Sequence, residues 1–174
     1  MKQIEDKLPD KPSELLEMAL GDLRECAEDP AYRLDSSRWF SYRGQYDSNG
    51  RAVGEVCLVC LGGAVMAKRL PCELGDDDSP TFLYEMGTIG ERDKNKLHAL
   101  DDFRTGDFAD AFKEMGTPIS NEQTEALGEL YKNLFLVCSR GDSVSMAGFC
   151  TDEAGLAFAD KYQAVVDEIK SLGY

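Results

Sequence analysis

Two cysteines stand three residues apart in the stretch EVCLVCLGGAVMAKRL, residues 55–70. Cys57 and Cys60 form a C-x2-C pair, which is half of a zinc motif; the other half needs a second pair of Cys or His ligands at comparable spacing. The remaining candidates are Cys72, beyond a proline, and His98, the only histidine, inside a helical stretch. Zinc knuckles present their cysteines on turns, and nothing between Cys57 and Cys60 has turn chemistry. A redox role for the pair would need a thioredoxin-like βαβ setting, and none surrounds it. The reading these residues favour is a pair of thiols in the core. Gly62-Gly63 lacks the G-x-G-x-x-G and G-x-x-x-x-G-K-[ST] frames of a phosphate cradle, so close packing against a crossing helix is expected there. No metal and no cofactor is expected.

Other groups that could do chemistry are isolated. His98 lies on a Leu-rich helical stretch with no nucleophile–base partner close in sequence. Asp76-Asp77-Asp78 and Asp101-Asp102 lack EF-hand spacing and its glycine; Asp101 and Asp102 are expected to cap a helix or pair with Arg104. Arg140-Gly141-Asp142 reads as a chance turn. A cysteine-dependent enzyme would need a low-pKa thiol beside a base, and no such arrangement is visible.

Residues 31–51, AYRLDSSRWFSYRGQYDSNGR, carry the most suggestive set. Tyr32, Trp39, Phe40, Tyr42 and Tyr46 alternate with Arg33, Arg38, Arg43 and Arg51, opposed only by Asp35 and Asp47. Trp, Tyr and Arg dominate binding hot spots and can also stack on bases. Arg38, Trp39, Tyr42, Arg43 and Tyr46 are the candidate binding residues, with Trp39, Tyr42 and Arg43 as anchors. The competing reading is a hairpin whose aromatics cover a helical core.

The elements that must position these residues follow from periodicity. Leu16, Ala19, Leu20, Leu23 and Cys26 recur at helical spacing behind Pro12 and ahead of Pro30. The stretch from Glu55 to Leu70 is apolar on all sides, the pattern of a central buried helix, with a buried strand from Glu55 to Leu61 as the alternative. Further helices are expected around Leu97–Phe103, over Phe108–Met115 behind an Asp107 cap, from Ser120–Gln123 in capping-box spacing through Cys138, and after a Thr151 cap. Gly106, Gly116 and Gly173 supply stops. Residues 1–11 are expected to fray, and the Asp-rich loop at 76–80 is the likeliest joint. The fold class expected is mainly α: one compact domain over 1–174, of five to six helices, with a short hairpin or irregular insertion near 31–56.

Of 174 residues, 33 are acidic and 19 basic, for a net charge of −14 spread evenly along the chain. Such a protein repels nucleic acid and anionic membranes and is drawn to basic partners. No apolar run is long enough to span a bilayer and the N-terminus has no apolar signal region. A cytoplasmic protein with reduced cysteines is therefore expected, and a paired helical face leaves a homodimer possible.

The segments KPSELLEMALGDL, DPAYRLDSSRWF, EVCLVCLGGAVMAKRL and LHALDDFRTGDFADAFKEMG, in that order, resemble a set of small uncharacterised proteins of tailed phages and prophages. The most specific part is the pattern Cys-x-Val-Cys-Leu-x-Gly-Ala-Val-Met-Ala, here Cys57 to Ala67. The resemblance implies a phage origin and supplies no catalytic residue. It implies an accessory protein acting in the host cytoplasm, one that engages and inhibits a host protein or defence complex; the acidic charge of the chain adds that this partner presents a basic surface. A pocket that sequesters a nucleotide or small signal molecule is the alternative.

Overall fold

The computed structural model describes residues 8–69, 89–135 and 148–174. Among these are six helices and three strands: α1 (Pro12–Glu28), β1 (Tyr32–Leu34), β2 (Phe40–Tyr46), β3 (Ala52–Val59), α2 (Leu61–Arg69), α3 (Glu91–Thr105), α4 (Phe108–Glu114), α5 (Asn121–Phe135) and α6 (Asp152–Ser171). The protein is mainly helical, as the periodicity implies, and the insertion near 31–56 is a small sheet. No helix among the described residues is long and apolar enough to cross a membrane. The Asp-rich loop at 76–80, Cys72, Cys138 and Arg140-Gly141-Asp142 lie outside the described residues.

α1 lies against α2, α3 and α6, and its stripe Leu16, Ala19, Leu20, Leu23 and Cys26 is fully buried. Pro12 occupies its first turn, where a missing N–H costs nothing. The other helices start as their capping residues dictate. Ser120 and Gln123 exchange hydrogen bonds of 3.0 and 3.2 Å, Thr151 Oγ1 accepts from Ala154 N, and Asp107 caps α4. Gly106 takes φ +85° to end α3, a backbone conformation a side chain would strain. The carbonyls of that last turn are closed from outside the helix: Tyr131 donates to Arg104 O and Tyr162 to Phe103 O. Both tyrosines sit in an aromatic cluster with Phe103, Phe108, Phe135 and Phe158.

Part of the expected fray is tied down. Leu8 is buried, its N–H donates to Asp93 Oδ1 at 3.2 Å, and its carbonyl accepts from Lys96 Nζ at 2.7 Å. Asp93 and Lys96 are themselves buried, and this segment supplies part of their hydrogen bonding beside the 3.5 Å contact between the two side chains.

The stretch Glu55–Leu70 corrects the favoured reading. It is a strand to Val59, then Cys60, then α2. β3 is the central strand, parallel to β1 (Tyr32 opposite Cys57) and antiparallel to β2 (Phe40 opposite Val59). Its inner half, Val56 to Val59, is covered on both faces, so it shows no polar alternation and looks like a buried helix in sequence.

Candidate interaction surface

Gly62 and Gly63 do mark a close approach: a Cβ on Gly62 would lie 3.6 Å from the Leu97 carbonyl of α3, the helix packing expected there, and the strand entry at Trp39 comes closer still. Trp39 leads into β2, and a Cβ on Gly63 would collide with the Trp39 carbonyl. A Cβ on Gly62 would lie 3.3 Å from the Trp39 ring. That ring also meets His98 edge-on, with centroids 6.0 Å apart. Trp39 is thus half-buried at the root of the hairpin, clamping the sheet onto α2. Cys60 Sγ accepts from Gly63 N at 3.5 Å, capping the start of α2 from within. The Gly63 amide that could have faced a phosphate is engaged by this sulfur.

Three of the four cysteines among the described residues have the character of core groups. Cys26, Cys57 and Cys60 are buried and Cys150 is exposed. Burial pushes the Cys60 thiol up to about 11 and Cys26 up to about 12, the opposite of an activated nucleophile. Among the described residues no group of three or more His, Cys, Asp or Glu side chains converges as a metal site.

Asp101 pairs with Arg104 at 2.7 and 3.0 Å, as its spacing suggests. Asp102 titrates above the usual carboxylate range, through burial first and then the neighbouring charges of Asp107, Asp101, Asp110 and Glu114.

The hairpin continues outward from Trp39. Its turn is closed by Asp47, whose Oδ1 accepts from Asn49 N and Arg51 N at 2.8 and 2.9 Å. A bulge falls between Gln45 and Tyr46. The proximal half of β3 is buried, whereas from Arg43 to Glu55 every residue is exposed or half-buried. The distal half is therefore a ribbon projecting from the core. Tyr46 is 68% exposed and Val53 is 62% exposed; no other large hydrophobic of the described residues is comparably bare.

Tyr46 and Val53 border an open cleft of about 680 Å³ with Arg33, Arg43, Leu58 and Asp152 among its walls. Arg33 is engaged by Asp152 at 3.6 Å, and Asp152 also accepts from Leu34 N. Arg43 faces this cleft with no ion pair among the described residues, and Arg38 likewise has none.

The five candidate residues divide. Arg43 and Tyr46 share the cleft. Trp39 is at the root, four residues before Arg43 or about 13 Å along an extended chain, where it does the covering that the competing reading assigned to the aromatics. Arg38 is exposed in the turn before β2, its N–H bonded to Asp35 O. Tyr42 is placed by its backbone, opposite Cys57. Val53 was missed because an alternating strand does not tell which of its faces is covered. Compared with family models, curated proteins and solved structures, the chain matches none.

Proposed function

We propose that this is a non-enzymatic binding protein whose contact element is the projecting β2–β3 ribbon: a phage-encoded factor that engages and inhibits a host protein or defence complex. The observation that carries the reading is Tyr46 and Val53, both more than 60% exposed, bordering one cleft beside Arg43, which makes no ion pair among the described residues. A two-stranded ribbon is marginal by itself in water. Leaving Tyr46 and Val53 bare on a chain with an otherwise well-filled core is intelligible if a partner covers them. The raised thiols and the absence of a converging metal set among the described residues give no competing chemistry. The phage origin rests on the resemblance of the Cys57–Ala67 stretch. The expected partner has a basic surface, because a net charge of −14 accelerates encounter with cations and repels nucleic acid. Trp39 packed on Gly62 is half-buried, which leaves the nucleotide-pocket reading without its tryptophan as a stacking platform.

The test is affinity capture from host lysate by the tagged full chain, read by mass spectrometry at low and high salt. One stoichiometric basic protein is expected, lost at high salt and lost with Tyr46→Ser/Val53→Ser. Capture that ignores both salt and this double substitution would remove the ribbon and the charge from the account.

A further inference from the structure

We infer that the free edge of β2 takes up an extended acidic segment of the partner as a fourth strand. The inference rests on the binding-protein reading and adds the chemistry of what the ribbon holds. The strand order is β1-β3-β2, so β2 is an edge. Among the described residues no backbone hydrogen bond reaches it from the side away from β3. Its seven residues span about 23 Å and present a row of donors and acceptors that an incoming strand can satisfy.

Charge identifies the occupant. From Ser36 to Tyr46 there is no acidic residue, while Arg38 and Arg43 are exposed and make no ion pair among the described residues. This is a cationic strip on a chain of net charge −14. A carboxylate opposite Arg43 on an added strand would lie within direct side-chain reach, whereas a like charge there is destabilising. That same rule disfavours a second copy of this chain. Arg43 is the middle residue of Phe40–Tyr46, so in-register antiparallel pairing of two β2 strands sets Arg43 against itself. Edge strands commonly carry charge to prevent such self-pairing. Nucleic acid would meet the arginines but has no peptide backbone to pair with the β2 edge. The complementary partner is therefore bipolar: a basic surface for the acidic helices and an acidic extended segment, such as a tail, for the ribbon.

The purified full chain is titrated into a fluorescent ten-residue peptide alternating glutamate with valine, followed by anisotropy. Three controls run beside it: the same peptide N-methylated at alternate amides, the peptide with lysine for glutamate, and a ten-nucleotide oligothymidylate. Saturable binding of the glutamate peptide is expected, weakened about tenfold or more by Arg43→Glu and by N-methylation. Hydrogen exchange at the β2 amides should slow in the complex. Undiminished binding of the N-methylated peptide, preference for the lysine peptide or the oligonucleotide, or no binding up to about 1 mM would each overturn strand addition. If the peptide fails while salt-sensitive capture persists, strand addition falls and the binding-protein reading stands; failure of capture removes both.

Discussion

Asp22 buries its carboxylate completely in α1, and Arg69 at the end of α2 meets it through Nε and Nη at 2.7 to 3.1 Å. Burial raises the titration of Asp22 above the usual carboxylate range; the guanidinium pulls it down by less. Arg69 itself is half-exposed, so the pair is worth less than a fully buried one. Arg69→Ala leaves the carboxylate buried without its counter-ion and should cost about 2 kcal/mol at neutral pH. The variant's Asp22 titrates still higher when folded than when unfolded. Its folded state therefore takes up a proton first, and its stability deficit narrows as pH falls toward about 3.9. Denaturant melts of both proteins between neutral and acid pH measure this. A deficit that stays constant with pH would mean lost packing rather than a stranded charge. Asp22 falls at helical spacing from Ala19 and Cys26, so its place on the inner face was legible. Its ion-pair partner was not, because only the return of α2 brings Arg69 to it.

The elements divide by how locally their signals act. The caps at Asp107, Ser120 and Thr151 and the stop at Gly106 could be read directly, since each is a hydrogen bond or a backbone angle settled within a few residues. The parallel pairing of β1 with β3 could not. Its partners are about 25 residues apart, and three residues of strand carry no pattern of their own. The glycine pair was tied to close packing against a helix, and Leu97 of α3 does lie there; the nearer Trp39 backbone was not legible, because small size shows that something approaches and not everything that does. Gly63→Ala should push the Trp39 backbone outward and cost about 2 kcal/mol, in the range of overpacked sites. The hairpin amides should then exchange faster while those of α6 stay protected. An unchanged unfolding midpoint would mean that Trp39 does not clamp the sheet at this point.

Across the whole molecule, 33 acidic residues repel one another against 19 basic ones. Ion pairs such as Lys170–Glu17 and Arg24–Asp160 are exposed and contribute little each. Self-repulsion is therefore the larger electrostatic effect on the fold. The thermal midpoint should rise when salt goes from about 10 mM to about 150 mM, as the Debye length drops from roughly 30 to 8 Å. A falling midpoint would show that the ion pairs outweigh the repulsion. The same salt should weaken capture of the proposed basic partner, so fold and binding should respond to it in opposite directions.

The amino-acid sequence by itself determined the helical class, most helix ends, the core stripe of α1 and the charge of the surface. These depend on period, caps and composition, which are properties of neighbouring residues. Only the tertiary structure decided that Trp39 faces inward while Tyr46 and Val53 face solvent, and that β2 is an edge. Both depend on which distant segment covers a given face. Aromatic residues in one short stretch were thereby divided between packing against the fold and standing exposed to solvent.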